Sequence, residues 1–330
     1  MVDMIYVEDE VADHPRVEAI CRRLAGAVRV PCRHYGELFN RSAQNFRLQK
    51  RRPALILARK RQGLVLETPK GYGIGGRRNY YFSHMLNCVY DCRYCFLRGM
   101  FSSANYVLFV NYEDFQSSIE ETTRDNPSSE SHFFSGYDCD SLAFEPVTGF
   151  AASFLPLFER LEGAWVELRT KSVQVRCLLD REPVERCVVA FSMTPAPVSR
   201  ELETDVPPLE RRLEALAKLQ DRGWKIGLRF DPLIYHEGYQ ERYVELFRDV
   251  FSKVHAESLH SVSLGPFRLP RDYHRRMVRR YPDEPLLAGP LEESGGMVSY
   301  RRDLEQEIVE FASEELLRYI PQEVFFPLRL

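Results

Sequence analysis

The chain has 330 residues, 44% of them hydrophobic and 28% charged, with a formal net charge of −3. This is the composition of an ordinary folded globule, long enough for one large α/β domain with a smaller attachment. No apolar run approaches a membrane span, the opening Met1-Val2-Asp3-Met4 lacks a signal-peptide pattern, and the eight cysteines suit a reducing interior; a cytoplasmic protein with no membrane partner and no disulfide framework is expected.

In chain order, Met4–Val7 reads as a strand and Val17–Gly26 as a helix, which predicts a small N-terminal α/β segment over residues 1–77. Between Arg41 and Arg78 stand eleven cations and very few acids, and Lys70-Gly71-Tyr72-Gly73-Ile74-Gly75-Gly76 reads as a plain link. From Tyr80 onward, apolar strands alternate with helical patterns. The predicted strands are Tyr80–Met85, Ser131–Tyr137, Ala164–Arg169, Cys187–Met193, Lys225–Pro232 and His260–Phe267. The predicted helices lie near Glu113–Thr123, Pro146–Leu161, Ser172–Arg181, Pro208–Arg222 and Tyr239–Val254. The fourth helix is the clearest: Leu209, Leu213, Leu216 and Leu219 recur at helical spacing, Pro207 and Pro208 mark its start and Gly223 its stop.

Six β/α repeats imply a parallel sheet curled into a partial (β/α)6 barrel over residues 78–270, with its chemistry at the C-terminal ends of the strands. A C-terminal helical extension, 271–330, holds the second basic cluster (Arg271, Arg275, Arg276, Arg279 and Arg280, with Arg268 just before it). Its acidic amphipathic helix at Asp303–Tyr319 is expected to pack on the open side of the barrel. Both basic clusters suit phosphate binding or a solvated face equally, and charge alone leaves both open.

The most informative motif follows the first barrel strand. Cys88, Cys92 and Cys95 form a C-x3-C-x2-C triplet with Phe96 after it. Three thiolates so placed can hold three irons of a [4Fe–4S] cluster and leave the fourth open to a small molecule. A zinc knuckle calls for a fourth ligand, usually in two close pairs, yet the next cysteine is Cys139. Cys21, Cys32, Cys177 and Cys187 read as inert core thiols, Trp165 and Trp224 as packing residues.

The triplet resembles the signature of radical S-adenosylmethionine (SAM) enzymes, in which SAM chelates the open iron and is cleaved to a 5′-deoxyadenosyl radical. Over nearly its whole length the chain resembles the spore photoproduct lyase family. The resemblance rests on the opening Met4-Ile5-Tyr6-Val7-Glu8, the cysteine loop, Phe191-Ser192-Met193 and, most specifically, Pro232-Leu233-Ile234-Tyr235-His236-Glu237-Gly238-Tyr239. His236-Glu237 lacks the second histidine of a zinc protease, so that reading falls.

The resemblance implies a [4Fe–4S] cluster and SAM as cofactors, and cleavage of a thymine-dimer carbon–carbon bond in damaged DNA. It also implies an electron donor such as flavodoxin or ferredoxin, and a monomer. In that family a cysteine returns a hydrogen atom to the thymine radical and tyrosines help regenerate SAM. Here Tyr137 stands where that cysteine should be, and Cys139 follows two residues later, on the same face if the strand continues. Tyr94 matches one relay tyrosine and Phe96 stands at the other.

Asp140 matches an aspartate close to the cofactor and Lys171 a lysine near the SAM carboxylate. Ser192 and Thr194 end the fourth strand within reach of the ribose or methionine part. Arg229 and Asp231 share one face of the fifth strand, as cofactor contacts or as a structural ion pair. The family's basic hairpin is shortened: Ala288–Met297 carries Glu292, Glu293 and two glycines. These departures keep two rivals open: radical modification of another nucleic acid or small molecule, and a nucleic-acid-binding protein with a structural cluster.

Overall fold

The computed structural model describes residues 2–69, 71–125 and 129–328; Lys70 of the glycine-rich link lies outside them. The chain opens with β1 (Met4–Glu8), α1 (Pro15–Arg23), β2 (Val28–Cys32), α2 (Phe46–Arg51) and β3 (Leu55–Ala58). Two short strands, β4 (Leu66–Glu67) and, after β5 (Arg78–Phe82), β6 (Met85–Leu86), lead into the cysteine loop. That loop holds β7 (Asp91–Cys92) and α3 (Leu97–Met100), and is followed by β8 (Tyr106–Phe109) and α4 (Tyr112–Arg124). The repeats continue as β9 (Ser131–Ser135), α5 (Glu145–Thr148), α6 (Phe150–Arg160), β10 (Ala164–Thr170), α7 (Arg176–Leu179) and β11 (Cys187–Ser192). Then come α8 (Ala196–Leu202), β12 (Glu203–Thr204), α9 (Leu209–Arg222), β13 (Lys225–Leu233), α10 (Tyr239–Phe251) and β14 (Leu259–Pro266). The chain closes with β15 (Arg268–Pro270), α11 (Arg271–Arg280), β16 (Leu291–Ser294), β17 (Met297–Tyr300) and α12 (Arg302–Leu316).

The main sheet runs β14-β13-β11-β10-β9-β5-β4, and every pairing from β5 to β14 is parallel. Spatial order follows chain order, as short crossovers require, and the result is the expected partial (β/α)6 barrel. All six residues of β11 are buried, which fits a strand covered on both faces. α9 buries Leu209, Leu213, Leu216 and Leu219 and ends at Gly223 with φ 96°.

The N-terminal layer is a five-stranded sheet, β2-β1-β3-β8-β6. It is larger than expected, and two of its strands come from beyond residue 77. Leu55–Ala58 and Tyr106–Phe109 are four-residue apolar runs, too short for periodicity to reveal them. β2 is an exposed edge strand containing Pro31, where proline costs no ladder bond.

Two predicted helices are corrected. Pro146–Leu161 breaks at Gly149, which sits in the left-handed region between α5 and α6. Ser172–Arg181 contracts to α7, because the N–H of Ser172 donates to the Thr170 hydroxyl (2.8 Å) and that of Gln174 to the Ser172 hydroxyl (3.0 Å). Such local side-chain bonds compete with the helix ladder.

α12 packs against α10 and β14, on the open edge of the barrel. The tail beyond it lies along the same edge, with Phe326 N–H donating to Val262 O (2.8 Å) and Leu328 N–H to Leu264 O (2.9 Å). β15, β17 and β16 form a separate antiparallel sheet with strands from both sides of residue 270.

Inside the barrel, Arg229 on β13 is fully buried and meets Glu167 of β10 at 2.7 Å. It also donates to the Ser261 carbonyl (2.9 Å) and hydroxyl (2.8 Å). Gly227 makes room: a Cβ there would stand 2.8 Å from the guanidinium. Despite its burial, the Glu167 carboxyl is held at about 2, below its ordinary 4.5, by Arg229 and Arg169. A depressed carboxyl contributes stability that is fully present above about pH 4.5 and lost as pH falls toward about 2. Glu167→Gln is expected to cost about 3–5 kcal/mol at neutral pH, as breaking a buried pair does. Denaturant midpoints measured against pH should show that gap closing across this acid window.

Candidate active site

The cysteine loop is built by main-chain capture. Asn87 adopts a left-handed φ of 72° and is fully buried. Its side-chain amide donates to the carbonyls of Ser103 (2.9 Å) and Asn105 (3.0 Å), and its side-chain oxygen accepts from Cys88 N–H (3.0 Å) and Arg98 (2.6 Å). Lys50, from α2, donates to the carbonyls of Cys88 (3.2 Å) and Val89 (3.0 Å). Arg276 and Arg280 of α11 cap the far end, reaching the carbonyls of Gly99 (3.2 Å) and Phe101 (3.0 Å). Three members of the basic clusters, one from the first and two from the second, therefore grip this loop.

A second lock lies beneath. β7 pairs with β12, placing Glu203 opposite Cys92. The Glu203 carboxylate accepts from Tyr94 Oη, Thr194 Oγ1 (2.9 Å), Ser199 Oγ (2.6 Å) and Arg212, whose side chain is as fully buried as its own. Arg212 also donates to Ser192 O (3.0 Å). Burial pushes the Glu203 carboxyl up, but Arg212 and Lys171 outweigh it and hold it below its ordinary value.

The three cysteines line a cavity of about 1090 Å³ at the C-terminal ends of the barrel strands, together with Tyr94, Tyr137, Cys139, Asp140, Lys171 and Ser192. Tyr137 and Cys139 reach it by a turn, not a strand. β9 stops at Ser135, and Gly136 turns the chain at φ 79° where a Cβ would lie 2.6 Å from Ser141 Oγ. Tyr137 stacks on Tyr81 (centroids 4.3 Å, 29°) and tilts against Phe96 at 5.5 Å. Cys139 is buried, and desolvation pushes its thiol well above the ordinary range, so it keeps its hydrogen.

Asp140 is a staple between strand ends. It accepts from the N–H groups of Leu142 (3.0 Å), Ala143 (2.8 Å) and Lys171 (2.6 Å) and from Thr170 Oγ1 (2.6 Å). Lys171 Nζ lies 5.6 Å from the Tyr94 ring centre. Thr194 and Arg229 do not line the cavity: the hydroxyl of Thr194 belongs to Glu203 and the guanidinium of Arg229 to Glu167. Asp231, the expected alternative partner of Arg229, instead faces Arg169 at 4.0 Å.

Sequence reasoning missed Lys50, Tyr81, Glu203 and Arg268. Tyr72, inside the glycine-rich link, also lines the cavity and takes Arg169 against its ring at 5.2 Å. A tyrosine between glycines was the available signal. Glu203 offered none.

The donor set suits an iron–sulfur cluster. Burial pushes the Cys88 thiol up to about 11 and that of Cys92 well above its ordinary value, with Arg98 pulling against the first and Lys171 against the second. Those cations, with Lys50, sit where the negative charge of a thiolate-bound cluster would need offsetting. Among the described residues no group of three His, Cys, Asp or Glu is arranged to hold a single ion.

A parallel partial barrel with a three-cysteine loop after its first strand defines the radical SAM class. A family model described as spore photoproduct lyase matches residues 38–292. The spore photoproduct lyase of Bacillus subtilis (strain 168) is 23% identical over 198 residues, 59% of this chain, and the match spans 58% of that protein. Its counterpart in Geobacillus sp. (strain Y412MC61) is 22% identical over 247 residues, 71% of this chain and 72% of that one. A mutant spore photoproduct lyase with bound AdoMet and dinucleoside spore photoproduct superposes with TM-score 0.86 at 17% identity, covering 100% of this chain and 99% of that one. A second structure, complexed with dinucleoside spore photoproduct, gives 0.84 at 17% identity, covering 100% and 98%. The chain belongs to the spore photoproduct lyase family.

Lys50→Met leaves loop carbonyls without their donor and removes a compensating charge. By analogy with other outer-sphere groups, its affinity for iron should fall about tenfold or more. Iron and sulfide per chain, measured after anaerobic reconstitution at limiting iron, check this.

Proposed function

We propose that the protein is a radical SAM lyase that cleaves a thymine-dimer carbon–carbon bond in damaged DNA. The observation that carries this reading is the convergence of the three triplet cysteines, the buried thiol of Cys139 and an aromatic stack on one cavity. At about 1090 Å³ it sits at the upper end of ligand-site volumes, with room for SAM and a dinucleotide together. Cys88, Cys92 and Cys95 hold the cluster, which with SAM supplies a 5′-deoxyadenosyl radical.

The chain's own residues place the reactants. Lys171 meets the SAM carboxylate with a charge-assisted bond. Asp140 fixes the main chain of Lys171, and Ser192 offers a hydroxyl to the methionine or ribose part. Tyr81 and Tyr137 stack a base against the cavity wall. Cys139 carries the hydrogen returned to the product, and burial keeps it a thiol. Tyr94, whose hydroxyl is committed to Glu203, holds the loop in place. Residues 78–270 carry this chemistry while 1–77 and 271–330 support it. A flavodoxin or ferredoxin supplies the electron, and the protein works as a monomer in the cytoplasm; among the described residues no helix is long and apolar enough to cross a membrane.

One observation favours a second reading, a radical reaction on another nucleic acid or a small molecule. Tyr137 fills the expected cysteine position, and the hairpin of β16 and β17 presents exposed Glu292 and Glu293. An anaerobic incubation with SAM, dithionite and a synthetic spore-photoproduct dinucleotide decides between them. Thymidylyl-thymidine with 5′-deoxyadenosine is the expected result, and Cys139→Ala should then abolish clean repair while deoxyadenosine still forms. Deoxyadenosine without repair moves the search to another substrate; intact cluster without SAM cleavage reduces the cluster to a structural one.

Lys171→Ala should weaken SAM binding about tenfold or more, since a charge-assisted bond contributes about 1.5–3 kcal/mol. Equilibrium dialysis with labelled SAM measures it, and unchanged affinity removes the assignment.

A further inference from the structure

The two basic clusters are sorted by the fold, which takes eight of their members into ion pairs or onto the cysteine loop. Arg59 and Arg61 pair with Glu10, and Arg59 also with Asp114. Arg52 faces Asp3, Arg271 faces Glu293, and Arg275 faces Asp272. Lys50, Arg276 and Arg280 grip the cysteine loop. Among the described residues Arg41, Arg47, Arg51, Arg77, Arg78 and Arg279 are also exposed and form no ion pair, and of these Arg47, Arg51 and Arg279 belong to α2 and α11, the helices that hold the cysteine loop.

These three lie on one block. The Arg280 guanidinium sits 3.8 Å from the Phe46 ring centre, joining the end of α11 to the start of α2. α3 and α11 meet backbone to backbone: a Cβ on Gly99 would stand 2.4 Å from Tyr273 O. α3 begins two residues after Cys95, and Arg98 N–H donates to Cys95 O at 2.9 Å. Of the nearby acids, Asp91 is engaged by Arg98 and Tyr281 and Glu284 by Arg93, while Asp205 near Lys50 and Asp283 just after α11 are exposed and in no ion pair among the described residues, two carboxylates against three arginines. The outward charge of the block is therefore positive.

We propose that this arginine face, Arg47 and Arg51 of α2 with Arg279 of α11, is the docking surface for a small acidic one-electron carrier protein. The inference rests on the cluster reading of the triplet and adds its partner. The cysteine thiols face the cavity, which the small-molecule ligands fill, while the basic block holds the same loop by its main-chain carbonyls. A carrier seated there is separated from Cys95 by a few covalent and hydrogen bonds. One electron leaves the carrier's reduced group and enters the cluster, with no proton moved and no bond made. Redox encounters of this kind use small interfaces and rely on opposite charge for fast association. A nucleic acid is disfavoured here, because its reacting base must reach Tyr137 and Cys139 inside the cavity.

The test compares wild type with the triple variant Arg47→Glu, Arg51→Glu, Arg279→Glu at equal cluster content. Deoxyadenosine formation is driven either by reduced flavodoxin or by dithionite. Flavodoxin-driven turnover should fall about tenfold or more and depend on salt in the wild type, while dithionite-driven turnover stays unchanged. Titrating the holoprotein into isotope-labelled flavodoxin should show weakening of the same size, and this reads docking whether or not SAM is cleaved. Equal flavodoxin affinity in both proteins overturns the proposal. So does loss of binding to a short DNA duplex with flavodoxin binding retained. Absence of deoxyadenosine with dithionite in the wild type would instead strike the cofactor reading, leaving the titration to judge the surface.

Discussion

The site depends on one buried carboxylate. Glu203 receives hydrogen bonds from Tyr94 in the cysteine loop, Thr194 after β11, Ser199 on α8 and Arg212 on α9. Taking Glu203 and Arg212 out of water is costly, and their attraction offsets that cost only if the remaining donors and acceptors are satisfied. Here they are, since Arg212 also bonds Pro207 O and Ser192 O. The result is a rigid joint that fixes Cys92 and Tyr94 against the end of β11 and against α8 and α9. A cofactor shared between the loop and the barrel needs that joint more than it needs any single contact.

Charge placement follows from the same joint. The thiols of Cys88 and Cys92 are buried and that of Cys95 half-buried, and Lys50, Arg98 and Lys171 supply positive charge from three separate segments. Lys50 belongs to the N-terminal layer, so that layer serves the cluster directly. Deeper in the barrel, Glu167 and Arg229 form a second satisfied pair that supports the strands and leaves the cavity to others. The cavity wall is then free to be aromatic and neutral around Tyr81, Tyr137 and Phe96, where a flat ligand can stack.

The six barrel strands were legible because each is a short segment with an apolar centre, set between stretches of helical periodicity. The cluster cysteines were legible because three ligands within eight residues leave few other chemistries. Thr194 and Arg229 read as cofactor contacts from strand position, yet each has a buried carboxylate partner, 9 residues away for Thr194 and 62 for Arg229. Tyr81 and Tyr137 come from different strand ends, so their stack has no sequence signature. Gly136 turns Tyr137 and Cys139 toward the cavity, where strand alternation was the expected route.

By itself the sequence determined the barrel and the cluster loop, through local periodicity and close ligand spacing, and the family through the resemblance of its motifs. The tertiary structure alone decided which polar residues face the cavity and which are consumed in buried pairs. It also decided which arginines grip the loop and which remain free on the surface. A charged side chain's role is set by the partner within about 4 Å, and that partner comes from anywhere in the chain.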